Sequence, residues 1–172
     1  MTPLSTDVHA ADWLKRPAKG FLTETELRQL DAVFGRILPP DHARQIPGAV
    51  EAGAANFVSE LLARDAAVYW EIPNWRKLYR DALAALDSYA GTTFQKPLAD
   101  LNDQQVEQVI AGLEAATLAG FNPAIDQKLL FATLRRHCIQ GCFADPRWGG
   151  NKQKIMWRAI GYLQPPEDLY HE

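Results

Sequence analysis

Residues Phe143–Tyr162 read FADPRWGGNKQKIMWRAIGY, and they divide into a loop and a helix. Asp145-Pro146 initiates a turn, and Gly149-Gly150 permit positive φ and close backbone approach. Asn151 is placed to cap the segment that follows. The loop sets Trp148 beside backbone of little bulk, either to fill a pocket at home or to enter one on a partner. A glycine loop ahead of a helix also suits phosphate, but no strand precedes this one. From Asn151 the pattern predicts a helix to about Gly161. Ile155, Met156, Trp157, Ala159 and Ile160 cover nearly its whole circumference, so burial on most sides is expected. Lys152 and Lys154 in its first turn oppose the helix dipole and favour an anionic neighbour.

The surrounding third of the chain is basic. Between Lys128 and Arg158, seven cations (Lys128, Arg135, Arg136, Arg147, Lys152, Lys154, Arg158) face one carboxylate, Asp145, a local charge of +6 in a chain of net charge −3. Such asymmetry steers an acidic partner or a polyanion, and it is also compatible with an ordinary solvated face. Upstream, Asn122-Pro123 reads as a cap followed by proline at the first helical position, opening a helix through Ile125, Leu129, Leu130 and Leu134 toward Cys138. Cys138 and Cys142 are four apart and share a helical face. With the adjacent His137 they raise a metal or redox reading. Two sulfurs are too few for a structural zinc or iron–sulfur site, and His137 points about a hundred degrees away from Cys138. The simpler reading is two small buried hydrophobes. His9, His42 and His171 are scattered through arm, turn and tail and read as surface or capping residues.

Further out, Thr23 and Glu26 form a capping box ahead of Leu27, Leu30, Val33, Phe34 and Ile37, and Pro39-Pro40 stops that helix. After the turn at Ile46-Pro47-Gly48 a second helix is predicted, with Val50, Ala54, Phe57, Val58, Leu61 and Leu62 on one face. Pro73-Asn74 opens a third through Trp75, Leu78, Tyr79, Ala82, Leu83 and Leu86, ending by Gly91. Asn102 caps a fourth, with Val106, Val109, Ile110 and Leu113. Residues 1–20 show no periodicity and read as an arm pinned by Trp13 and Leu14. The expected architecture is all-α: an irregular single-domain bundle of about six helices over residues 21–172, with a non-helical N-terminal arm at 1–20. A chain of 172 residues buries a core without disulfides or metal. No stretch reaches the ~20 apolar residues of a membrane span. The first twenty residues lack the basic and apolar regions of a signal peptide, so a cytoplasmic location is expected, or a periplasmic one if a signal has been removed. G-x-G-x-x-G, Walker, C-x-x-C-H, H-E-x-x-H and nucleophile-elbow motifs are all missing.

The chain resembles the small (gamma-type) subunit of gluconate 2-dehydrogenase and related membrane-associated sugar dehydrogenases. The likeness runs from Phe21-Leu22-Thr23 to Tyr162. It is most specific over Gly141–Tyr162, in Phe143-Ala144-Asp145-Pro146, Trp148-Gly149-Gly150-Asn151, Trp157 and Gly161-Tyr162. A second patch is Ile46-Pro47-Gly48-Ala49-Val50-Glu51-Ala52-Gly53 with Phe57-Val58. The resemblance implies a non-catalytic subunit, without cofactor of its own, bound to a large flavoprotein of the glucose–methanol–choline type. That partner would hold FAD and oxidise a sugar or sugar acid, often passing electrons to a cytochrome c subunit. The twin-arginine signal carried by many such small subunits is not present in the first twenty residues, so stabilisation of the partner, not its export, is the role expected. Partner contacts are then expected from Asp145, Arg147, Trp148, Gly149, Gly150 and Asn151 in the loop, and from Lys154, Trp157 and Tyr162 beyond it. Two other classes compete: a stand-alone helical metal or redox protein using His137, Cys138 and Cys142, and a nucleic-acid binder using the basic third, which sits on no recognised binding module.

Overall fold

A computed structural model describes residues 17–162; the expectations for His9, Trp13, Leu14 and His171 lie outside them. Among the described residues there are seven α-helices and no strand, which bears out the all-α expectation. They are α1 (Glu24–Ile37), α2 (Ala49–Ala52), α3 (Ala54–Ala63), α4 (Ile72–Phe94), α5 (Asp103–Ala115), α6 (Gln127–Phe143) and α7 (Ile155–Ala159). Helix α6 is the central element, packed against α1, α2, α3 and α5.

Local chemistry accounts for most helix starts. The Thr23 hydroxyl accepts from the Glu26 amide at 3.2 Å, and the Glu26 carboxylate accepts from the Thr23 amide at 2.8 Å, the reciprocal box expected of this pair. Leu30, Val33 and Phe34 then enter the core, and α1 ends ahead of Pro39-Pro40. Asn102 and Gln105 make the same kind of box at α5. Residues 17–23 are non-helical and held down, with the Phe21 amide donating to the Ser59 carbonyl and the Leu22 amide to the Ser59 hydroxyl, both at 3.0 Å.

Four boundaries differ from expectation. The second helix is broken at Gly53, which adopts φ +73°. A side chain there would collide with Lys152, whose Cε lies 2.5 Å from where a Cβ would stand. The break also turns Val50 outward, 46% exposed, so it leaves the expected core face. Helix α4 continues through Gly91 to Phe94, because one glycine costs a helix only about 1 kcal/mol. Helix α6 begins at Gln127 under Asp126, whose carboxylate accepts from the Leu129 amide at 3.0 Å. Asn122 instead closes a turn onto the Ala124 amide, and the later start places Leu129 on the outer face, 62% exposed. The last helix, predicted from Asn151 to about Gly161, is reduced to α7, for reasons given below.

One cross-helix contact shapes the region above the end of α3. Arg76 of α4 donates to the carbonyls of Leu62 and Arg64 at 2.7 Å each, satisfying acceptors that a helix C-terminus leaves open. This ties the start of α4 to the end of α3.

Candidate functional site

The loop after α6 is built around three backbones in contact. Asp145 caps a short 3₁₀ turn, Pro146–Trp148, by accepting from the Arg147 amide and guanidinium at 2.9 Å each. Those bonds hold the Asp145 carboxyl below its usual range, and they hold the Arg147 guanidinium above its own. Gly149, at φ +97°, reverses the chain. Gly150 then lies so close to α6 that an added Cβ would sit 2.0 Å from the Gly141 carbonyl oxygen. Gly141 in turn abuts the Ala54 backbone at the start of α3. The Asn151 amide donates to the Gly141 carbonyl at 2.9 Å. The glycine pair therefore gives both the positive φ and the close approach that the sequence suggests.

Asn151 is fully buried and does cap, but across a kink. Its side-chain amide donates to the Ala144 carbonyl at 3.1 Å, and its side-chain oxygen accepts from the Met156 amide at 3.0 Å. Asn151, Gln153 and Lys154 all take positive φ, so α-helical geometry starts only at Ile155. The expectation of burial on most sides is corrected accordingly. Met156 is buried, Trp157 is half-buried with its indole N–H donating to the Phe143 carbonyl at 2.9 Å, and Ile160 and Tyr162 are each 56% exposed. Trp148 finds its pocket within this chain: it is half-buried, packed on the core, with the Arg64 guanidinium 4.5 Å above its ring.

The basic third does not form one patch. The methylenes of Lys152 cross Gly53, and its charge partly counters the rise that burial imposes on the Asp31 carboxyl. Arg147 is spent on Asp145. Lys128, Arg135 and Arg136 stay exposed along α6.

The polar groups on the inner side of α6 are sealed in the core. His137 is fully buried, with Nδ1 2.9 Å from the Tyr79 hydroxyl and its ring edge-on to Trp75 at 4.6 Å. Burial, and then the charge of Arg136, lower its pKa to about 4; burial pushes the Tyr79 phenol up. Cys138 and Cys142 are free thiols, both buried. Cys138 lies 3.9 Å from the Phe34 carbonyl, and its hydrogen bond with Cys142, followed by burial, raises its pKa. His137 thus faces α4 while Cys138 faces α1. Among the described residues no three His, Cys, Asp or Glu side chains are arranged to hold a metal. The Cys138 thiol, held protonated, lacks the thiolate that redox or metal chemistry uses.

Two features escaped the motif reading. The Tyr79–His137 pair is signalled only by His137 falling on the Leu130, Leu134, Gly141 side of α6. A groove of about 720 Å³ lies between the end of α3, the 65–71 turn and α6, with Leu61, Tyr69, Trp75, Phe143 and Trp148 in its lining.

The described residues thus form a helical scaffold with His137, Cys138 and Cys142 closed in its core and its glycine motif seating a loop on α6. The chain belongs to the gluconate 2-dehydrogenase subunit 3 family, whose family model matches residues 24–165 and so takes in all seven helices. Membership in a family of dehydrogenase subunits implies partner subunits. No curated protein and no solved structure matches the chain. Among the described residues, no helix is long and apolar enough to cross a membrane.

Proposed function

We propose that this chain is the non-catalytic small subunit of a sugar or sugar-acid dehydrogenase complex, and that it binds and stabilises the large, FAD-containing subunit of the glucose–methanol–choline type. The observation that carries the reading is family membership over residues 24–165. The sealed state of His137, Cys138 and Cys142 agrees with it, since none of them offers a substrate an accessible reactive group. Flavin chemistry then belongs to the partner, and a cytochrome c subunit would receive the electrons.

Within the loop, Gly149, Gly150 and Asn151 are buried and serve by holding the backbone in place. Arg147 and Tyr162 are exposed beside the half-buried Asp145, Trp148, Lys154 and Trp157, and these supply the side chains that a partner would touch. Co-expression tests the proposal. The large subunit should accumulate soluble and FAD-loaded only when this chain is present. A fully active, FAD-loaded large subunit produced in its absence would overturn it.

A further inference from the structure

The groove above α6 has a rim and a charge pattern that the loop motif does not explain. Its interior is apolar and aromatic, with Tyr69 and Trp75 stacked at 5.0 Å as one wall and Trp148 in another. Two large apolar side chains of its lining keep much of their surface in water, Ile139 at 40% and Tyr69 at 43%, and the Trp70 ring next to Tyr69 is 70% exposed. Clustered exposure of this kind marks interaction surfaces, whereas isolated exposed hydrophobes do not. Trp, Tyr and Arg are also the side chains that dominate interface energetics.

Charge selects the occupant. Helix α6 carries no Asp or Glu along its length, while Lys128, Arg135 and Arg136 line its exposed side. The Arg136 guanidinium stands 5.6 Å from the Trp75 ring centre at the groove edge, and among the described residues no carboxylate pairs with it. The groove lining contains no carboxylate; Asp65 and Glu71 belong to the neighbouring turn, where Asp65 accepts from the Ala67 amide. A second copy of this chain meeting the first across a two-fold axis would bring like charges together. A lipid surface would leave the concavity unfilled.

We propose that this groove seats the large subunit of the complex, through a segment that inserts an aromatic or branched apolar side chain and sets an Asp or Glu against Arg136. This rests on the accessory-subunit reading above and adds to it a location and a chemistry.

Ile139→Asp and Arg136→Glu test the assignment, because both side chains are exposed and a melting curve verifies the fold of each variant. Lys96→Glu, an exposed cation outside the groove lining, is the control. Each variant is co-expressed with the large subunit, and the amount retained on the tagged small subunit is measured. The two groove variants should each weaken retention about tenfold or more, with the control at the wild-type level. Undiminished retention by both groove variants would overturn the groove assignment and leave the accessory role standing. Failure of the wild-type chain to retain the large subunit would remove the accessory role, and the assignment with it. A vesicle arm, using phosphatidylglycerol in phosphatidylcholine, separates protein from membrane. Sedimentation of the free chain that both variants abolish, with large-subunit retention unchanged, would reassign the groove to an anionic lipid surface.

Discussion

Gly150→Ala should unseat the loop from α6 and cost about 3 kcal/mol or more of stability, by the sum of overpacking strain and lost buried hydrogen bonds. The added Cβ would stand 2.0 Å from the Gly141 oxygen and 2.9 Å from its carbonyl carbon. Neither atom can yield, since both belong to helical backbone. Gly141 is itself pressed against Ala54, where a Cβ would meet Cα at 2.9 Å and the carbonyl oxygen at 3.0 Å. Relief has to come from the loop. Lifting it breaks the Asn151–Gly141 backbone bond, strains the two side-chain bonds of Asn151, and uncovers Met156. Gly149→Ala makes an instructive contrast. It pays for a left-handed φ of +97°, about 1–2 kcal/mol, but its nearest obstacle is the far end of the Glu60 side chain, which can swing away. Urea denaturation should therefore rank Gly150→Ala well below Gly149→Ala, and both below wild type. A Gly150→Ala protein with the wild-type midpoint would mean that the three-backbone contact does not hold this loop.

The cap at Thr23 was legible because a capping box is closed by residues three apart, and the cap at Asn102 because Asn is a favoured residue there. The glycine pair was legible because positive φ and close approach have few other uses. The break at Gly53 was not, because a glycine inside an apolar helical pattern is compatible with a continuous helix as well as with the left-handed φ of +73° it adopts. Nor was the start of α6. Asn122-Pro123 is a good local signal, yet the Gln127 side chain accepts from the Leu118 amide and donates to the Leu118 carbonyl. That clamp holds residues 118–126 as a loop and leaves the cap to Asp126. The all-round apolar pattern after Asn151 suggests deep burial because nothing in it reveals the kink at Gln153. The groove is assembled from α3, α4, α6 and the turn between the first two, so no window of sequence contains it. Helix α6 alone displayed half of it: a run of seventeen residues with cations, apolar side chains and no carboxylate.

Acid should destabilise the protein through His137 in a window set by its two pKa values. The imidazole titrates near 6.5 when unfolded and near 4 in the fold, because burial and then the neighbouring charge of Arg136 disfavour the imidazolium. Between those values the unfolded chain binds a proton that the folded chain refuses, so stability rises with pH across the window. His137 therefore imposes no acid penalty above about pH 6.5, and stability falls progressively as pH drops toward 4. The gap corresponds to about 3 kcal/mol in full. Asp31 works in the opposite sense: its carboxyl is raised by burial, so the folded state takes up its proton first and gains relative stability as pH falls. Asp145, whose carboxyl is lowered, matters only below the ordinary carboxylate range. A difference measurement isolates His137. His137→Phe alone leaves the Tyr79 hydroxyl buried without its partner and should lower stability at pH 7 by about 1–3 kcal/mol. The double variant His137→Phe/Tyr79→Phe removes both polar groups together and should recover most of that loss, since a buried pair replaced by apolar groups of similar shape is nearly neutral. Melting temperatures from pH 7 to 4.5 should then fall more shallowly for the double variant than for wild type, with Asp31 and the other carboxylates common to both. Parallel curves would show that His137 accepts its proton in the folded state as readily as in the unfolded one, and that the space between Trp75 and Tyr79 is open to a charge.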